Sequence, residues 1–244
     1  MSLSLHAAAV TDIGHVRTNN EDCAYAGRRL IAVADGIGGM PAGELASAMV
    51  IKAIAWLDEA PPAADPIGAL RESIVAANEQ IRAAAAADQS QDGMGTTITA
   101  LLLAGDQAGL VHVGDSRGYL LRGGELTQLT KDDTFVQSLV DQGVLTVAEA
   151  RVHPRRSIVT QAIQGQEFRA TESLLPVRPG DRFMLCSDGL SDVVQDDEIH
   201  AVLVGCPDPQ NCAARLVRAA LDAGATDNVT VVVADVRMDP TPSS

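Results

Sequence analysis

Aromatic residues make up only 2% of this 244-residue chain, so Ala, Val, Leu and Ile must fill its interior. No uninterrupted apolar run is long enough to span a bilayer. The first residues, MSLSLHAAAV, lack the basic start and the length of a signal peptide. Cys23, Cys186, Cys206 and Cys212 form no CxxC pair and no zinc spacing, which leaves no metal site to be read from cysteine. They are expected to be reduced thiols in a cytoplasmic protein. Positive charge is also scarce. Eighteen Lys and Arg stand against 32 Asp and Glu, a net charge of −14 that argues against nucleic acid or an anionic membrane as the main partner.

Apolar residues amount to 46%, enough for a sizeable core, and the length allows one large domain or two small ones. Ser2 to Val10 is a candidate strand, and Cys23–Ala26 with Arg29–Ala34 a hairpin turning at Gly27. Apolar spacing predicts a helix over Glu44–Leu57, entered near Pro41, and a second over Ile67–Ala87 beyond the break APPAADP. Strand patterns follow at Thr96–Leu103, Gly109–Val113, Gly118–Leu121 and Glu125–Leu129. Thr130–Gly165 then breaks the pattern with helical spacing around Phe135–Val140 and Val147–Val152, and reads as an insertion between strands. Strands resume at Arg169–Val177 and Asp181–Cys186. Two helices are expected over Asp196–Leu203 and Pro209–Ala223, and a last strand over Val229–Val236. Strand groups separated by helix pairs predict an α+β protein.

Four stretches share one pattern: an acidic residue beside Gly, Ser or Asn at the end of an apolar strand. They are VADGIGG with Asp35, VHVGDSRG with Asp115, FMLCSDGLSD with Asp188, and GATDNVTVVV with Asp227 just before a strand. Singly, each Asp fits a turn or cap. Strand ends can bring distant residues to one mouth of a sheet, and several carboxylates there repel unless cations bind. Carboxylates beside bare glycine carbonyls suit hard cations such as magnesium or manganese.

These motifs occur in an order that resembles the bacterial branch of the protein phosphatase 2C family. GHVRTNNED, VADGIGG, GMGTT, HVGDSRGY, HPRRSIVTQAIQG, LCSDGLSD and TDNVTVVV run from Thr11 to Val236. The resemblance implies an αββα sandwich, two antiparallel sheets flanked by helix pairs, with residues 1–239 as one catalytic domain, 130–165 as a flap and 240–244 as a tail. It implies metal-dependent hydrolysis of phosphoserine and phosphothreonine in proteins by a metal-activated water, opposing bacterial Ser/Thr kinases. Two or three Mn2+ or Mg2+ ions are implied: Asp35 bridges two, the Gly36 carbonyl completes one shell, Asp188 and Asp227 hold the other metal, and Asp115 belongs to a third site that shares Asp188. Glu21 and Asp22 match positions that touch the metals directly or through water. Asn228 is expected to position Asp227 or a loop, and Gly93, Gly95 and Thr96 to be structural. Arg17 matches the phosphate-binding Arg, whose guanidinium fork grips two oxygens. Phosphorylated proteins are the expected partners of a monomer.

The chain also departs from the family pattern. Ile37 stands where animal members carry a His, and Met40 where many bacterial members do. His153 is a weaker candidate acid that reads better as a loop residue, and His15 and His112 read as structural. Arg151, Arg155 and Arg156 offer positive charge for docking phosphorylated protein. Alternative readings are a phosphoprotein-binding module, a phosphatase for small molecules or anti-sigma-factor antagonists, and a nucleotide-binding α/β domain. The last would require parallel strands and lacks a GxGxxG or GxxxxGK[ST] loop.

Overall fold

A computed structural model describes residues 2–37 and 42–239. The first part of the chain forms β1 (Leu3–Asp12), β2 (Cys23–Ala26), β3 (Leu30–Ala34), β4 (Gly36–Ile37), α1 (Ala42–Ala55) and α2 (Pro66–Ala87). There follow β5 (Gly95–Thr96), β6 (Ile98–Ala104), β7 (Gln107–Val113), β8 (Arg117–Arg122) and β9 (Glu125–Gln128). Two short helices, α3 (Phe135–Asp141) and α4 (Val147–Arg151), lie in the insertion. The chain continues through β10 (Thr171–Pro176), β11 (Arg182–Cys186), α5 (Asp188–Ser191), α6 (Asp196–Gly205), α7 (Pro209–Asp222) and β12 (Val229–Met238).

One sheet runs β1-β12-β11-β8-β9 and the other β10-β7-β6-β3-β2. All strand pairs among the described residues are antiparallel, which removes the nucleotide-binding α/β alternative. Side chains alternate along each strand, so central strands buried on both faces feed two cores. Ile31, Val33, Leu101, Leu103, Phe183, Leu185, Val232 and Ala234 meet between the sheets. The alternate residues of the same strands turn outward: Leu30, Ala32, Ala100 and Leu102 pack with Ile54, Leu70 and Ile74 of α1 and α2. Met184, Cys186, Val231 and Val233 pack with Ile199, Leu203, Leu216 and Ala220 of α6 and α7. Helix, sheet, sheet, helix is the layering predicted from the family resemblance.

Helix starts follow side-chain caps. Asp65 accepts from the Gly68 amide with Pro66 in the first turn, and Asp208 accepts from Asn211 ahead of Pro209. Thr146 and Glu149 form a reciprocal capping box on α4. One predicted strand is interrupted in the structure. The strand expected over Thr96–Leu103 breaks at Thr97, which bonds Asp35 with both its amide and its hydroxyl, so Gly95–Thr96 swings out to pair with Gly36–Ile37. Asp188, which the sequence pattern places at a strand end, opens the single helical turn α5. Pro41, Met40 and the tail 240–244 lie outside the described residues.

Candidate active site

Asp35 follows β3, Asp115 sits in the β7–β8 turn, Asp188 follows β11 and Asp227 precedes β12. The two sheets therefore deliver their carboxylates to one mouth of the sandwich. A cleft of about 330 Å³ there is lined by Arg17, Glu21, Asp35, Gly36, Asp115, Asp188 and Asp227, with Ile37 and Thr97 beside them. The opposite wall is Ser157 and the run Val159 to Ala162 of the insertion. Seven of the nine residues singled out in the sequence face this cleft; Asp22 and Asn228 lie behind it.

The carboxylates are crowded out of water. Burial holds the Asp35 carboxyl well above the usual carboxylate range, and Asp22, Asp188, Asp115 and Asp227 push it further. Asp188 is raised for the same reasons, burial first and then Asp115, Asp192 and Asp227. Burial, with Asp132 and Asp192, lifts Asp115 to about 7. Asp22 stands at about 6, raised by burial against two hydroxyl hydrogen bonds that favour its charge.

Backbone and hydroxyl contacts hold these groups. The Asp35 amide donates to Thr97 Oγ1 at 3.0 Å, and Thr97 Oγ1 meets Ser116 Oγ at 2.7 Å. Thr96 donates its hydroxyl to the Asp35 carbonyl at 2.8 Å. Ser187 donates to Asp22 Oδ2 at 2.7 Å, while Asp22 Oδ1 is buried without any partner. Asn228 accepts from the Glu21 amide and donates to the Ile13 and Asn19 carbonyls, pinning the loop that carries Arg17 and Glu21 beside Asp227. Glycine permits the close backbone approach: a Cβ on Gly36 would strike the Gly43 and Glu21 carbonyls, and one on Gly189 the Asn228 carbonyl.

Arg17 Nη2 donates to Asp227 Oδ2 at 2.6 Å, and this bond does most to raise its already high pKa. Among the described residues the pair links the expected phosphate-binding cation to an expected metal ligand. Among the described residues no three His, Cys, Asp or Glu side chains are arranged to enclose a metal ion as they stand. Mutual repulsion and the pull of Arg17 on Asp227 give a physical reason. The donor set nevertheless fits a hard divalent cation: all-oxygen, buried, strongly repelling, and with an orphaned carboxylate oxygen on Asp22.

The other cations and histidines singled out in the sequence have partners of their own. Arg151 donates to the Ser191 carbonyl at 2.8 Å and to Gln195, and Arg156 pairs with Asp192 at 3.2 Å, so both clamp the insertion onto α5. Arg155 lies over the Phe135 ring. His153 accepts from the Arg155 amide and lines no part of the cleft; it is a loop residue, as expected. His15 is bonded to the Leu221 carbonyl. Sequence reasoning missed Thr97, Ser116 and Ser187, the hydroxyls that orient the carboxylates. Their only signal was position, at the close of GMGTT and inside GDSRG and CSDG.

A family model described as protein phosphatase 2C matches residues 17–221. The chain belongs to the protein phosphatase 2C family. It is 53% identical over 236 residues to the serine/threonine protein phosphatase PstP of Mycobacterium tuberculosis, covering 97% of this chain and 46% of that protein, so it spans about half of the relative's length. It is 36% identical to the protein phosphatase PhpP of Streptococcus pneumoniae, covering 94% of this chain and 96% of that protein. The crystal structure of the PstP catalytic domain in complex with two manganese ions superposes with a TM-score of 0.92 at 51% identity, covering 97% of this chain and all of that one.

Proposed function

We propose that this chain is a metal-dependent protein phosphatase that hydrolyses phosphoserine and phosphothreonine in proteins and opposes bacterial Ser/Thr kinases. Residues 1–239 are its catalytic domain and 130–165 its flap; it acts as a cytoplasmic monomer. The observation that carries the reading is the convergence of Asp35, Asp115, Asp188 and Asp227 on a cleft that Arg17 also faces. The relatives with this fold are Ser/Thr phosphatases, and one of them was crystallised with two manganese ions.

Asp35, the Gly36 carbonyl, Asp188 and Asp227 would hold two Mn2+ or Mg2+ ions, with Asp115 at a third and Glu21 and Asp22 supporting through water. Bound there, such ions activate water and neutralise the phosphoryl oxygens. The chain's own residues do the rest. Arg17 is half exposed, and a phosphate dianion in the cleft offers its fork two charged oxygens in place of its single bond to Asp227. Thr97, Ser116 and Ser187 keep the carboxylates aimed at the mouth. The insertion wall, Ser157 to Ala162, shields the cleft from bulk water and meets the polypeptide around the phosphorylated residue. No cysteine serves as nucleophile: Cys186 is fully buried with its thiol pushed up to about 12, and Cys212 to about 11.

Substituting Asp35→Asn is expected to abolish phosphopeptide hydrolysis while leaving the circular dichroism spectrum and unfolding transition in place. Full turnover by that variant would remove Asp35 from the site and the reading with it.

A further inference from the structure

The buried polar chain behind Asp35 does not stop at Ser116. Thr99 Oγ1 donates to the Ser116 carbonyl at 2.8 Å and lies 2.9 Å from His112 Nδ1. His112 Nε2 lies 3.0 Å from the Lys131 carbonyl. Thr97, Thr99, His112 and Ser116 are all essentially inaccessible to solvent. The line therefore runs from the Asp35 amide through Thr97, Ser116, Thr99 and His112 to Lys131, where the insertion leaves the sheet.

Counting protons along this line gives an unexpected result. Both ends, the Ser116 and Lys131 carbonyls, can only accept. Three contacts between them need three protons: one between Ser116 and Thr99, one between Thr99 and His112, and one between His112 and Lys131. Thr99 supplies one, and a neutral imidazole supplies one more. Either neutral tautomer leaves one contact without a proton. With Nε2 protonated, Thr99 must turn its hydrogen to the ring and abandon Ser116. With Nδ1 protonated, the ring faces the Lys131 carbonyl with a lone pair. Only the doubly protonated ring satisfies all three.

We infer that His112 is a positioning residue that ties the root of the insertion to the strand ends carrying Asp35 and Asp115, and that the tie is complete only when the ring carries both protons. The inference rests on the phosphatase reading for its consequence, because the insertion forms the substrate-facing wall of the cleft. The charged groups facing the ring are Asp133 and Asp132, both at the insertion root, and they favour the charged ring against a larger cost of burial. Asp133 also accepts from the Gly114 amide at 3.0 Å, and Asp132 is bonded by Arg117. The residues paired with His112 on β6 and β10 are Thr99 and Thr171, which carry no charge. The ring is thus set against neutrality by hydrogen-bond geometry and against charge by burial, and its proton decides whether the wall is held by three bonds or two.

Nitrogen-15 NMR of the imidazoles and amides of the full chain between pH 5 and 8 tests this directly. The expected result is that His112 gains its second proton on acidification, and that the amide of Asp132, whose peptide holds the Lys131 carbonyl, shifts with the same midpoint. His112→Gln imitates the ring protonated only on Nε2, so that amide shift disappears in it. Its KM for a phosphothreonine peptide, measured with manganese, matches wild type above the midpoint and exceeds it several-fold below, with kcat unchanged. An Asp132 amide that still shifts in His112→Gln would overturn the inference, as would a His112 ring that never titrates. Should His112→Gln melt below the assay temperature, Thr99→Val serves. It removes the partner of Nδ1, so the His112 midpoint is expected to fall, and an unchanged midpoint contradicts the tie. A wild-type chain that titrates as described yet releases no phosphate would instead refute the phosphatase reading alone.

Discussion

Thr97 carries more of the site than its size suggests. Its hydroxyl accepts from the Asp35 amide and meets Ser116, and its amide bonds the Asp35 carbonyl. Replacing it by Val keeps the volume and removes the hydroxyl contacts. The expected cost is about 10- to 100-fold in manganese affinity or turnover, the usual toll for removing a partner that orients a metal ligand. Calorimetric titration with manganese checks this; unchanged affinity and rate would show that Asp35 is held without Thr97. Asn228 offers a second test. Its side chain makes three hydrogen bonds to the Ile13–Glu21 loop, so Asn228→Ala is expected to cost about 2–4 kcal/mol in urea unfolding. A smaller loss than about 1 kcal/mol would mean the loop is anchored elsewhere. Asp35, Asp115, Asp188 and Asp227 were legible because each sits in a local pattern of strand, acid and small residue, whereas Arg17 stood out only through the family resemblance. Thr97, Ser116 and Ser187 were not, since their partners are set by strand register between residues dozens of positions apart. The bond that joins Arg17 to Asp227 spans nearly the whole chain, and nothing local announces it.

The elements around the cleft divide between those that carry the ligands and those that brace the wall. The α2 residue Asn78 accepts from the Gly165 amide and donates to the Gln166 carbonyl, fixing the far end of the insertion to a helix of the outer layer. Arg151 and Arg156 fix its middle to α5, the turn that begins with Asp188. Arg151→Ala therefore releases carbonyls that hold both the wall and the segment after Asp188, a proposed metal ligand. It is expected to destabilise the fold by about 1–3 kcal/mol and to raise KM for phosphopeptide more than it lowers kcat. An unchanged KM would separate the insertion from substrate binding. Helix limits were readable to within a few residues because Asp65, Pro66, Asp208 and Pro209 mark them chemically. The break between β5 and β6 and the short turn α5 were not readable. Apolar periodicity runs straight through Thr96–Leu103, and only the tertiary pull of Asp35 on Thr97 interrupts it.

The molecule gathers much of its −14 net charge at one buried mouth, and this makes its stability depend on pH and on cations in a defined direction. Asp22 and Asp115 titrate at about 6 and about 7 in the folded chain, and Asp35 and Asp188 well above the ordinary value. Their unfolded counterparts titrate near 3.8. The folded state thus binds more protons than the unfolded state above pH 4. Its stability from these groups is full below that pH and is lost as pH rises through 6 to 7. The melting temperature of the metal-free chain is expected to fall between pH 5 and 7.5, and manganese to recover more at pH 7.5 than at pH 5. At a hundredfold excess over Kd, a single site adds about 2.7 kcal/mol. A metal-free melting temperature that rises over this range would contradict the crowding of carboxylates described above.

The most direct measurement is phosphate release from a phosphothreonine peptide by the purified chain, first with manganese, then after chelation, then with manganese restored. Release that stops on chelation and returns with the metal is the expected result, because cations would offset the repulsion among the four converging carboxylates and activate the attacking water. Phosphate release that continues unchanged in chelator, or no release from a folded chain supplied with manganese, would contradict the assignment of this cleft as a metal-dependent phosphatase site.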